Sequence, residues 1–143
     1  GLIRDDRGRV LLCELTYKSD WDLPGGVVDP HEPPWAALRR EVREELGLDL
    51  PPGSLLAVNW MPPYRQWDDA VHFVFDLGVV PDVLERAVLD RRELAGVHWV
   101  EPADADQRMA PYAVRHLTSI LASDSRSGPL VLEDGSLPEA DVT

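Results

Sequence analysis

The chain has 143 residues, a formal charge of −12 and a single cysteine. This length suits one domain over residues 1–143 with a single buried core, and the acidic balance argues against DNA, RNA or an anionic membrane surface as partner. Cys13 alone excludes an internal disulfide and fits a reducing cytoplasm, and no signal peptide or membrane-length apolar run is visible. The first residue is Gly1 rather than Met, so a trimmed first strand is expected over Gly1 to Arg4. Asp5 to Gly8 reads as a turn, Arg9 to Thr16 as its return strand, and Tyr17 to Pro24 as a loop. Cys13, inside the apolar run from Val10, reads as a small core residue. A helix is predicted over Pro34 to Leu46. Strands follow over Ser54 to Met61, Ala70 to Val80 and Val97 to Val100, with a loop from Pro62 to Asp68. Met109 to Ala122 has helical spacing, Leu130 to Leu132 reads as a short strand, and Pro138 to Thr143 as a loose tail.

The densest pattern lies between Gly26 and Leu48. Gly26 precedes Glu32 by six residues, and Arg40-Glu41-Val42 leads into Glu44-Glu45 and Gly47-Leu48. Seven of these residues, fixed in identity at these distances, should arise by chance on the order of once in a million chains of this length. A helix turns about 100° per residue, so Glu41, Glu44 and Glu45 fall within an arc roughly 100° wide. Trp35, Leu38, Val42 and Leu46 form a neighbouring apolar stripe that should face the core. Ala36, Arg39 and Arg43 lie on the far side. Arg40 can hold Glu44 across one turn. Pro33 and Pro34 suit the first turn, and Gly47 the left-handed C-terminal position. Three clustered carboxylates repel one another, and Mg²⁺ or Mn²⁺, which prefer oxygen ligands, would offset that repulsion. A merely solvated acidic helix accounts for the Glu/Arg run. It has no use for Leu23-Pro24-Gly25-Gly26 and Glu32 at fixed distances upstream.

In every defined position this segment resembles the Nudix box. The strand, turn and loop leading to Trp21-Asp22-Leu23-Pro24-Gly25-Gly26, and the later Glu93 to Val100, also look like that superfamily. The resemblance implies an α/β fold, a mixed sheet sandwiched between helices. It also implies hydrolysis of a nucleoside diphosphate linked to another moiety, a small-molecule nucleotide substrate, and dependence on Mg²⁺ or Mn²⁺. By the family pattern Glu44 and Glu45 are metal ligands, Glu41 is a ligand or base, and Arg40 orients the glutamates. Glu32 supports the loop through hydrogen bonds, and Gly25 or Gly26 lends a backbone carbonyl to the metal. Two positions depart from the pattern. His31 stands where glycine is frequent, and Pro33 where Ser or Thr often caps the helix. His31 is read as a loop residue, because a hard cation favours oxygen. Glu93 stands where some members carry a fourth carboxylate, with Glu85, Asp90 and Glu101 as competitors. A homodimer is implied by the resemblance alone.

Substrate contacts are less sharply written. Trp60, Tyr64 and Trp67 lie in or beside the loop after the box, where an aromatic can stack on a base or simply serve the core. Lys18 and Arg65 are loop cations that could meet phosphate. Pro63 and Tyr64, adjacent, match family markers for two different substrates and do not decide between them. Two other readings compete with a metal-dependent hydrolase. A catalytically silent nucleotide sensor on the same fold would be expected to lose box glutamates, which are all present. Isoprenoid diphosphate isomerases of the family need a cysteine in a context other than that of Cys13.

Overall fold

The computed structural model describes residues 1–139. The end of the expected tail, 140–143, lies outside the described residues. In chain order the elements are β1 (Leu2–Arg4), β2 (Val10–Leu15), α1 (Pro34–Leu46), β3 (Leu55–Met61), β4 (Ala70–Val79), α2 (Val83–Arg86), β5 (Leu94–Val100), α3 (Pro111–Ala122) and β6 (Leu130–Glu133). A 3-10 turn, Pro102–Gln107, joins β5 to α3. The chain gathers into two compact units, one of residues 1–54 and 75–110, the other of 55–74 and from 111 on. Strand β4 begins in the second and ends in the first.

In the first unit β2 lies antiparallel to β1 and to β5, and β1 runs parallel to the end of β4. In the second, β3 and β6 run parallel. Parallel and antiparallel ladders occur together, the mixed pairing of the α/β class expected. The connection from β1 to β2 turns where Asp5 accepts from the backbone N–H groups of Arg7 and Arg9. Alternate residues Ile3, Leu11, Cys13, Leu77 and Leu94 meet Leu38, Val42 and Leu46 of α1 in one core. Cys13 is thus a core residue, and burial pushes its thiol well above the ordinary value.

The apolar stripe of α1 differs from expectation at its first position. Trp35 is 39% exposed, and Ala37 is buried in its place. The indole N–H donates to the Pro52 carbonyl at 2.8 Å, and the Arg39 guanidinium lies 5.8 Å from its ring centre, so Trp35 covers the outer flank of the helix. Arg39 and Arg43 face water as expected, both paired with Asp49. Among the unforeseen segments are α2, one turn long, and the 3-10 turn after β5. Strand β5 starts three residues earlier than its sequence suggests. Ala95 and Gly96 have weak strand preference, but pairing along β2 from Val10 to Leu15 holds them extended. Helix α3 starts two residues later than expected, at Pro111.

Candidate metal and active site

The site is built by the loop before α1 and by the C-terminal half of the helix. Gly25 adopts φ +147°, a conformation that L side chains rarely reach. This turn aims the Gly25 N–H at Glu45, whose Oε2 accepts at 3.0 Å. Gly26 follows, packed against its helix neighbour. A Cβ there would strike the Glu41 carboxyl, both of whose oxygens lie 2.6 Å from that point. Pro33 occupies the N-cap position, and no side chain caps the helix. Pro34 has no N–H to satisfy, which lessens the loss. Gly47 ends the helix at φ 64° and donates to the Arg43 carbonyl.

Arg40 organises the carboxylates. Its guanidinium holds Glu32 with two bonds, 2.8 and 2.9 Å, and reaches Glu41 at 2.9 Å and Glu44 at 3.2 Å. It also donates to the Val27 carbonyl at 3.2 Å. One cation therefore ties the loop to the helix and restrains two acids. Glu32 accepts from the Asp29 N–H as well, and the Arg40 bonds hold its carboxyl below the ordinary carboxylate value. His31 lies in the loop, exposed, at φ 67°.

The three box carboxylates sit in different surroundings. Glu44 is 56% exposed. Glu41 is largely enclosed, and desolvation raises its pKa against the opposing pull of Arg40. Glu45 is buried, and desolvation pushes its pKa to about 8, with the Gly25 N–H opposing and the charges of Glu41 and Glu93 adding to the rise. An all-oxygen set of this kind, with two members partly stripped of water, matches the donor chemistry of a hard divalent cation. Among the described residues no three such groups converge at metal-binding distance. Arg40 draws Glu41 and Glu44 towards itself, and Gly25 holds Glu45.

Glu93 reaches this neighbourhood through long-range pairing. The last carbonyls of α1, on Glu45 and Leu46, accept from the N–H groups of Asp90 and Val88. Thr16 then donates its N–H to the Glu93 carbonyl and its hydroxyl to the Arg92 carbonyl. Of the four later acids considered, Glu93 is the one whose charge acts on both Glu41 and Glu45. Asp90 is tied to Arg92 at 2.7 Å, Glu85 lies in α2, and Glu101 follows β5. Tyr17 was not anticipated. It is 72% exposed beside Thr16, and its phenol is raised by desolvation and by Glu45, Glu93 and Asp22. Its position just past the end of β2 was the only available signal.

The first unit thus brings together Gly26, Arg40, Glu41, Glu44, Glu45 and Glu93. Lys18, in the same unit, is paired with Asp22 at 3.4 Å. The other substrate candidates belong to the second unit, and their partners there are local. Trp60 donates its indole N–H to Asp69 at 3.0 Å, Tyr64 meets Tyr112 edge-on, and the Arg65 guanidinium lies over Tyr64. Tyr64 and Trp67 exchange two backbone bonds, and Trp67 is 77% exposed. Cys13, buried with a raised pKa, offers no thiolate for the isomerase reading.

A family model described as the NUDIX domain matches residues 1–120. The chain is 46% identical over 123 residues to "Nucleoside triphosphatase NudI" of Escherichia coli O1:K1 / APEC, covering 72% of this chain and 79% of that protein. It is 29% identical over 120 residues to a "MutT-like protein" of Streptomyces ambofaciens, covering 83% and 72%. Among solved structures, the MutT protein of Methanosarcina mazei Go1 superposes with a TM-score of 0.60 at 31% identity, covering 72% of this chain and 74% of that one.

Proposed function

The chain belongs to the Nudix hydrolase family and is a Nudix pyrophosphohydrolase, and from that premise we propose that it cleaves a pyrophosphate bond in a nucleoside diphosphate linked to another moiety, using Mg²⁺ or Mn²⁺. The names of the relatives favour a nucleoside triphosphate over an ADP-ribose-like substrate. One observation carries the metal-dependent reading. Glu41, Glu44 and Glu45 share one edge of α1, with Gly26 packed against the Glu41 carboxyl. Those three carboxylates and the backbone carbonyl of Gly26 would hold the cation. When bound, a divalent cation neutralises the diphosphate and lowers the pKa of a water. The chain's own groups do the positioning. Arg40 restrains Glu41 and Glu44 and is itself anchored by Glu32. Gly25 orients Glu45. Glu41 or Glu93 accepts the proton of the attacking water as general base.

The protein is proposed to act as one domain over residues 1–143 in the cytoplasm. Among the described residues no helix is long and apolar enough to cross a membrane. The test is a substrate panel with Mg²⁺ or Mn²⁺, its products identified by mass. It holds ordinary and oxidised deoxynucleoside triphosphates, ADP-ribose, NADH, dinucleoside polyphosphates and nucleotide sugars. A nucleoside monophosphate plus pyrophosphate is expected. AMP plus a sugar phosphate would move the substrate to ADP-ribose, and binding with no hydrolysis of any member would overturn the reading in favour of a silent sensor.

A further inference from the structure

Tyr17 stands beside the box and takes no part in the chemistry assigned above. It follows β2, whose pairing towards β5 continues one residue past the strand. The Thr16 N–H donates to the Glu93 carbonyl at 2.9 Å, and the Thr16 hydroxyl to the Arg92 carbonyl at 2.8 Å. Side chains alternate along such a ladder. Cys13 and Leu15 pack into the core with α1, so Tyr17 is the next position on the helix side. The segment facing Thr16 is the one that closes over the end of α1. Asp90 donates its N–H to the Glu45 carbonyl at 3.0 Å, and the Asp90 carbonyl accepts from Glu93 at 3.1 Å. The groups acting on the phenol agree with that side. After desolvation, the charges of Glu45, Glu93 and Asp22 raise it.

The loop that carries Tyr17 is tied down at both ends. Thr16 holds the first. At the second, Asp22 exchanges two backbone bonds with Cys13, at 2.7 and 3.1 Å. The Trp21 indole stacks on His98 with ring centres 4.2 Å apart, and the Arg108 guanidinium lies 4.5 Å from the indole centre. The Trp21 backbone N–H donates to the Arg108 carbonyl at 2.8 Å. Between these anchors the Tyr17 side chain stands free. It is 72% exposed and, among the described residues, makes no hydrogen bond, ion pair or ring contact.

A free donor matters in this place. Carboxylates only accept hydrogen bonds, and a diphosphate also brings only acceptors. The cations around the box are already engaged. Arg40 is divided among Glu32, Glu41, Glu44 and the Val27 carbonyl. Arg39 and Arg43 share Asp49, Lys18 is paired with Asp22, and Arg92 with Asp90. The Gly25 N–H is taken by Glu45. A phenol is neutral, so it can stand among carboxylates without being drawn into an ion pair, and it keeps its proton for an incoming oxygen. We propose that Tyr17 is a substrate-binding residue whose phenolic O–H donates to a phosphoryl oxygen of the diphosphate at the box. This rests on the pyrophosphohydrolase reading above and adds to it a contact outside the box.

The test separates binding from hydrolysis. Inorganic pyrophosphate is titrated calorimetrically into the protein in Mg²⁺. Tyr17→Phe should weaken it at least about 10-fold, the loss of one hydrogen bond to a charged group. Removing an exposed hydroxyl should leave the melting temperature unchanged. On the hydrolysed nucleotide, Tyr17→Phe should raise KM about 10-fold and leave kcat within about threefold, as for a contact made equally before and during reaction. Tyr17→Leu should do no more than Tyr17→Phe. Pyrophosphate affinity that is unchanged in Tyr17→Phe overturns the assignment, and an effect seen only in Tyr17→Leu gives the ring, not the hydroxyl, the contact. A fall in kcat at constant KM overturns it as well, since the phenol would then act on the reacting atoms. Absence of pyrophosphate binding by the parent protein does the same. Pyrophosphate binding that Tyr17→Phe weakens, in a protein that hydrolyses no nucleotide, supports the contact and overturns the proposed reaction.

Discussion

Glu45→Gln, studied without metal, reads the electrostatic cost of the site directly. Burial places the Glu45 carboxyl at about 8, against 4.5 for the ordinary group. Between those values the folded chain holds a proton that the unfolded chain has released. Stability therefore falls as pH rises through this window and levels off above it. At about 1.4 kcal/mol per pH unit, the full interval sets a ceiling of about 5 kcal/mol. Relaxation and the coupling to Glu41 reduce that, and we expect about 2 kcal/mol by pH 7.5. Glutamine is neutral throughout, and its Oε1 can still accept from the Gly25 N–H. The variant and the parent should therefore have equal stability near pH 5. At pH 7.5 the variant should be the more stable, by about 2 kcal/mol or about 7 °C in Tm. Urea melts in EDTA at intervals from pH 5 to 8 measure the difference. Parallel curves across that range would refute the argument, because Glu45 would then not be held protonated by the fold.

The remaining expectations concern turnover. Glu44→Gln should keep the fold and lose about a thousandfold or more in activity at saturating Mg²⁺, since it removes a charged oxygen from the proposed metal set; near-normal turnover, with circular dichroism unchanged, removes Glu44 from that set. Glu93→Gln should lower kcat at least about 10-fold with KM little changed, whereas a change within about threefold makes Glu93 a surface residue. Gly26→Ala should cost about 1–3 kcal/mol in a denaturant melt, because the new methyl strikes the Glu41 carboxyl, and should cut turnover about 100-fold by displacing that group. If it does neither, Glu41 is free to swing away.

Helix α1 was legible because its information is local. The i, i+3, i+4 spacing of Glu41, Glu44 and Glu45, the buried Leu38, Val42 and Leu46, and the left-handed Gly47 all follow from helical geometry within a dozen residues. The same local rule failed at the other end of the helix. Trp35 has the right period for the core but finds Pro52 and Arg39 outside it. Weak strand formers hid the start of β5, whose extension depends on β2 about 80 residues earlier. The spacing put three acids together but said nothing of how they differ. Glu44 stays in water while Glu45 is buried, because Leu46, the Gly25 turn and the segment from Val88 to Asp90 close over the end of the helix. Glu93 and Trp21 are the extreme cases. Their neighbours, Thr16 for one and His98 and Arg108 for the other, stand about 77 to 87 residues away in sequence and are brought close only by the tertiary fold. Residue type and spacing determine which donors the chain can offer. Desolvation and charge coupling, which decide what those donors do, exist only once distant segments have excluded water from between them.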